Sequence, residues 1–185
     1  MISEEYRPKA QIMDGISMNR TLIRLSHEII EKNRGVSDVL LVGVIRRGVT
    51  LAERISQKIE EIEGIRIPVG SLDIRFHRDD LSVVGDQPII SSTDLPFDIN
   101  GKRVILVDDV IFTGRTVRAA LEALFEHGRP ATIQLAVLVD RGLRELPIKP
   151  DYIGKNIPTS HRELVDVKVG EVDGEDSVSI LSKNS

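Results

Sequence analysis

Residues 104–116, VILVDDVIFTGRT, narrow most sharply what this chain can fold into. The apolar run from Val104 to Val107 suits a strand buried on both faces, and Asp108 and Asp109 then place two carboxylates at its carboxyl end. Thr113, Gly114, Arg115 and Thr116 lead on into a helical stretch. Carboxylates at a strand end can accept hydrogen bonds from adjacent ribose hydroxyls. Threonine hydroxyls, backbone N–H groups freed by a glycine and the positive end of a helix converge on an anion. The segment therefore predicts a parallel strand, a turn and a helix built around a sugar phosphate.

Apolar runs elsewhere recur at spacings that suit alternating helices and strands. Ser17 can cap a helix to about Asn33, closed by Gly35, and Val39 to Ile45 reads as a buried strand. Thr50 to about Glu63 returns to helical spacing and stops at Gly64. Strands over 69–76, 103–108 and 133–140 and a helix over 116–126 complete the pattern. The expected class is α/β, a parallel-sheet core with helices on both faces. The polar stretch from His77 to Asp98 is a lid or binding loop, or a β-hairpin that extends the sheet. From about 151 to 185 the short strand-like pieces suit a small hood on a single domain spanning 1–185.

Composition limits the function classes. The 185 residues include no cysteine, so neither a disulfide framework nor a thiolate metal site is open to the chain. No apolar run approaches the roughly eighteen residues of a membrane span, and Met1 to Lys9 lacks an apolar leader core, so a soluble cytoplasmic protein is expected. A net charge of -4 argues against indiscriminate coating of nucleic acid, though it can coexist with a basic face.

Gly43 to Gly48 set Arg46 and Arg47 between two glycines at the end of the first core strand. Guanidinium forks there suit a pyrophosphate. With the 108–116 segment they describe a ligand that carries phosphate at each end of a ribose. Moving a phosphoribosyl group requires the bond from C1 to pyrophosphate to loosen as positive charge grows on the sugar, so positional and electrostatic catalysis is expected. Arg46 and Arg47 would neutralise the leaving group, Asp108 and Asp109 would hold the ribose, and Arg78 would close over the pyrophosphate. Mg²⁺ would be bound mainly through the pyrophosphate and ribose oxygens, with no dedicated protein ligand; direct coordination by the two aspartates is the competing role.

The 104–116 segment resembles the 5-phosphoribosyl-1-pyrophosphate (PRPP) signature of the type I phosphoribosyltransferases. With LDIRFHRDDLS (72–82), VDRGLRELPIKPDYIGKNIPTS (139–160) and a basic first helix, in that order, the chain resembles the PyrR family. That family joins attenuation of the pyrimidine operon to uracil phosphoribosyltransferase activity. The resemblance implies PRPP and uracil as substrates, UMP or UTP as effectors, and the pyrimidine-operon leader mRNA as a partner. It assigns PRPP binding to Arg46, Arg47 and the run Asp108, Asp109, Val110, Ile111, Phe112, Thr113, Gly114, Arg115 and Thr116. Arg78 becomes the loop arginine, and Arg141 and Val165 lie beside the base. Phe112 stands where purine enzymes commonly carry an acid; a phenyl ring cannot exchange a proton with a purine nitrogen, which favours a pyrimidine and leaves uracil and orotate both open.

Helical spacing over 17–34 puts Met18, Leu22, Leu25 and Ile29 on one side and Arg20, Arg24, His27, Glu31 and Arg34 on the other. The resemblance makes Arg20, Arg24, His27, Arg144 and Lys155 the RNA-binding set. Ile23 and Ile30 form an intermediate strip suited to a homodimer or higher oligomer. The chain departs from the family pattern where the usual GIKTRG reads GVIRRG, where DRGHREL reads DRGLREL, and where a first-helix threonine is Ile23. Leu143 and Ile23 each remove a hydrogen-bonding group, so a phosphoribosyltransferase with weak or lost RNA binding is the alternative.

Overall fold

The structure is a computed structural model that describes residues 5–77 and 92–184. Arg78 and the greater part of the long polar connection lie outside the described residues.

Tyr6–Asp14 (β1) precedes helix α1 (Gly15–Asn33), and β2 (Val39–Val44), α2 (Arg47–Glu63) and β3 (Val69–Leu72) follow. A single 3₁₀ turn at Arg75–His77 comes next, and then β4 (Arg103–Ile111), α3 (Arg115–Glu126), β5 (Thr132–Asp140) and β6 (Tyr152–Asn156). The chain closes with β7 (Glu163–Lys168), a short α4 (Gly170–Asp173) and β8 (Ser177–Lys183). Strands β2 to β6 form one parallel sheet in the order β3-β2-β4-β5-β6. Successive strand residues point to opposite faces. Leu41, Ile105 and Leu138 accordingly join Leu22, Leu25, Leu51 and Ile55 of α1 and α2, while Val42, Leu106 and Val137 join Val117, Ala120 and Leu124 of α3. Helices thus cover both faces, as the alternating sequence requires.

The strand order fixes where a ligand can sit. From β2 the chain crosses to β3 on one side, and from β4 it runs to β5 and β6 on the other, so the carboxyl ends of β2 and β4 part at the switch point of the sheet. Gly43 and Val107 are paired in register just before the two loops that carry Arg46 and Asp108.

Several boundaries differ from the sequence expectation. Asp14, not Ser17, caps α1; its carboxylate accepts the Ser17 N–H at 2.8 Å, and Arg34 ends the helix in the left-handed region (φ 53). The second helix starts at Arg47, three residues early, because Gly48 lets its first turn lie against β4. A Cβ at Gly48 would stand 2.4 Å from the Val107 carbonyl oxygen. Strand β3 stops at Leu72 because the Asp73 carboxylate turns back to accept the Arg75 N–H at 3.1 Å.

The hood also has a different boundary. Tyr152–Asn156 pairs with β5 and completes the main sheet, so the separate antiparallel sheet is β1-β8-β7, with the N-terminal strand as its third member. β1 gave no strand signal because Met13 is its one buried residue and Pro8 sits at a register shift on an edge.

Candidate active site

A cavity of about 460 Å³ opens at the switch point, within the range of roughly 300–1,000 Å³ usual for small-molecule sites. Its wall combines Arg46 and Arg47 from the β2–α2 loop, Asp108, Asp109 and Val110 from the end of β4, Thr116 from α3, and Asp73, Arg75 and Ser92 from the far side. The two phosphate-binding segments expected from sequence therefore meet in one cavity.

Asp108 is buried and accepts the Asp109 N–H at 2.9 Å, and Asp109 accepts the Val110 N–H at 2.8 Å. These bonds aim both carboxylates from a fixed backbone. Burial pushes the Asp109 carboxyl above the ordinary carboxylate range, against the lowering pull of the Val110 N–H and the Arg47 charge. Gly114 holds the α3 N-terminus with φ 94, where a side chain would be strained. The Thr113 carbonyl accepts from the N–H groups of Glu145 (2.9 Å) and Leu146 (3.1 Å), and Arg115 pairs with Glu145 at 2.8 Å. The 140–148 segment therefore braces the loop from behind.

The two loop arginines are not equivalent. Arg46 is exposed at the cavity wall, after a cis Ile45–Arg46 peptide. Arg47 instead makes a bidentate pair with Asp173 of α4, at 2.9 and 2.7 Å. Asp73 and Arg75 were not assigned a role from sequence, though an acid and an arginine two apart after a strand carried the signal. Arg75 grips Asp73 through Nε and Nη2, at 3.0 and 2.6 Å to Oδ2, and the Ser92 N–H adds a further donor at 3.1 Å. The Arg75 guanidinium holds the Asp73 carboxyl far below the ordinary range, so the acid is ionised.

The profile of the phosphoribosyl transferase domain family matches residues 10–171. A "Bifunctional protein PyrR" from Caldicellulosiruptor saccharolyticus is 60% identical over 170 residues, 92% of this chain and 93% of that protein. A protein of the same name from Halalkalibacterium halodurans is 57% identical, over 94% of this chain and 98% of its own length. The chain belongs to the PyrR family. Its phosphoribosyltransferase fold is shared with the hypoxanthine phosphoribosyltransferase of Trypanosoma cruzi, at a TM-score of 0.72 and 16% identity, with 96% of this chain and 98% of that one covered.

Phe112, Arg141 and His161 lie together. The Arg141 guanidinium lies 4.0 Å from the centre of the Phe112 ring, and His161 meets that ring edge-on at 6.3 Å. Arg141 is buried, and its fork goes to Thr159 Oγ1 (3.0 Å) and to the carbonyls of Ser160 (3.1 Å) and Glu163 (2.6 Å). It ties down 159–163. Val165 is buried in the apolar cluster with Met13 and Val167, so it backs this region as core.

Of the RNA-binding set, Arg20, Arg24 and His27 are exposed along α1, and Lys155 is exposed on β6. Arg24 reaches the Ile153 carbonyl at 3.3 Å and the Gly154 carbonyl at 2.5 Å, which places α1 beside that edge strand and covers two of its acceptors. The Arg144 guanidinium donates to the carbonyls of Phe112 (2.7 Å) and Ile148 (2.9 Å) and to Asp140 (2.7 Å), so it ties the 108–116 segment to the 140–148 segment. Leu143, beside it, takes φ 59, a conformation uncommon for a leucine.

No cluster of three or more histidine, aspartate or glutamate side chains is placed to hold a metal ion among the described residues. The cavity carboxylates Asp73, Asp108 and Asp109 are hard oxygen donors that fit a magnesium ion sharing its shell with phosphate oxygens and water. No helix among the described residues is long and apolar enough to cross a membrane.

Proposed function

We infer that this chain transfers the phosphoribosyl group of PRPP to uracil, giving UMP and pyrophosphate, and binds the pyrimidine-operon leader mRNA when a uridine nucleotide fills the same cavity. The observation that carries the reading is the meeting of Arg46, Asp108, Asp109 and Thr116 at the switch point of a PyrR-family chain.

In this reading the 5-phosphate rests on the N-terminus of α3, against Thr113, the Gly114 backbone and Thr116. Asp108 and Asp109 receive the ribose hydroxyls and sit close to C1, where positive charge grows as the bond to pyrophosphate breaks. Arg46 meets the departing pyrophosphate, and Arg78 closes over it. The N1–C1 bond forms as the C1–oxygen bond breaks, and the N1 proton passes to the departing pyrophosphate or to water. Mg²⁺ supplies charge neutralisation of the pyrophosphate oxygens. Phe112 offers the base a stacking face and no proton, in keeping with a pyrimidine. The RNA face combines Arg20, Arg24 and His27 with Lys155 beside them. The strip at Ile23 and Ile30 supports assembly into a homodimer or larger homo-oligomer in the cytoplasm.

Titration of the leader RNA with the protein, with and without UMP and at two salt concentrations, tests the regulator. Binding strengthened by UMP and weakened by salt is expected. Binding no tighter than to an unrelated RNA, and indifferent to UMP, favours the second reading, a phosphoribosyltransferase whose RNA binding is weak or lost. The commitment of Arg144 to Phe112 and the apolar Leu143 beside it are the observations on that side.

A further inference from the structure

The hood is fastened to α2 by two arginines of that helix. Arg47 forks onto Asp173, as described. Arg54, two turns later, grips both Glu171 and Asp176; its bonds to Asp176 are 2.9 and 2.8 Å. The receiving carboxylates are themselves built into the hood turn: Asp173 Oδ2 accepts the Val169 N–H at 2.9 Å, and Asp176 Oδ1 accepts the Gly170 N–H at 2.7 Å. The difference between the clamps is where they sit. Arg54 lies away from the cavity, whereas Arg47 is part of its wall.

We propose that Asp173 and the pyrophosphate of PRPP compete for the Arg47 guanidinium, so that filling the pyrophosphate subsite releases one of the two latches that hold the 169–176 turn of the hood. Asp173 occupies the Nε–Nη2 edge of the guanidinium, so pyrophosphate takes that bidentate edge only by displacing the carboxylate. Arg46 meets the ligand without such a cost. The exchange makes Asp173 a positioning residue for the leaving-group site and lets the hood, which also carries Val165 near the base end, respond to pyrophosphate. The Arg47–Asp173 pair is mutually reinforcing, since Asp173 raises the arginine and Arg47 lowers the acid. The inference rests on the proposed placement of pyrophosphate at the Arg46–Arg47 loop.

Inorganic pyrophosphate with Mg²⁺, titrated calorimetrically into the full chain, is the probe. Asp173→Asn keeps an oxygen at Oδ2 for the Val169 N–H and Arg47 Nε, but turns an amide NH₂ against Arg47 Nη2 and removes the charge of the acid. It is expected to tighten pyrophosphate roughly 3- to 5-fold, the worth of one partly exposed ion pair. In an Arg47→Gln background the same substitution is expected to change nothing. Arg54→Gln, which loosens the hood without touching the cavity, controls for a merely structural effect and is expected to leave pyrophosphate affinity in place. Hydrogen exchange adds a second readout: the amides of Val172, Asp173 and Gly174, which bond to Val169 and Gly170 carbonyls, should exchange faster when pyrophosphate binds the unaltered chain. Equal or weaker affinity in Asp173→Asn, or equal tightening by Arg54→Gln, overturns the latch while leaving the phosphate site standing. Pyrophosphate that binds the unaltered chain and a variant carrying Arg46→Gln and Arg47→Gln equally well overturns the site reading itself, and the latch with it.

Discussion

Replacing Arg144 by alanine separates a brace of the PRPP loop from an RNA contact. The side chain is only 21% exposed, and its fork satisfies the Phe112 and Ile148 carbonyls and the Asp140 carboxylate. Truncation leaves two carbonyls short of a donor and Asp140, itself 11% exposed, with the Gly142 N–H at 2.9 Å as a remaining partner. Charge-assisted hydrogen bonds contribute about 1.5–3 kcal/mol each, and the losses overlap, so about 3 kcal/mol is a reasonable net cost. For a chain of this size that corresponds to a melting temperature lower by roughly 6–12 °C. Because Phe112 leads into Thr113–Thr116, the KM for PRPP should rise along with the loss of stability. Arg144→Lys should not rescue either, since an ammonium cannot span three acceptors set in a planar fork. Thermal melts and PRPP-dependent turnover of the two variants read both effects. A variant that melts within about 1 °C of the parent, with unchanged KM and weakened leader RNA binding, would refute the brace and restore Arg144 to the RNA face.

Three further outcomes are expected. Gly48→Ala brings a Cβ to 2.4 Å from the Val107 carbonyl oxygen, so the α2 terminus must shift; about 2 kcal/mol of stability should be lost, read as a lower midpoint in urea. Asp73 has its pKa depressed in the folded state, chiefly by Arg75. Its contribution to stability is full above the unfolded carboxyl value and fades as pH falls through the lower folded one. Stability of the parent should therefore drop below about pH 4, and Asp73→Asn should flatten that limb while costing stability at neutral pH. Lys155→Ala should weaken leader RNA binding and lower the salt slope by about 1, with no change in uracil turnover.

How far the sequence reached depended on how local each feature is. The α1 stripe of Met18, Leu22, Leu25 and Ile29 is fully buried, because a helical period decides burial within one element. Asp108 and Thr116 fall in the same cavity because strand, turn and helix follow one another directly. Roles that depend on distant partners were not legible. Arg47 meets an acid 126 residues away, and Arg144 is fixed by a carbonyl 32 residues away. The sequence pattern assigns Arg47 to pyrophosphate and Arg144 to RNA, and shows neither of these partners. β1 escaped for a related reason: its pairing with β8 across the whole chain makes it a strand, and its own pattern carries little of that information.

The central claim is the chemistry at the switch point, and base competition tests it most directly. The purified chain, with PRPP and Mg²⁺, should be offered uracil, orotate, hypoxanthine and guanine together, and the nucleotides formed should be separated and counted. UMP as the dominant product, lost in Asp109→Asn, is the expected result. Rapid conversion of another base with uracil untouched would contradict it, and with it the role given to Phe112.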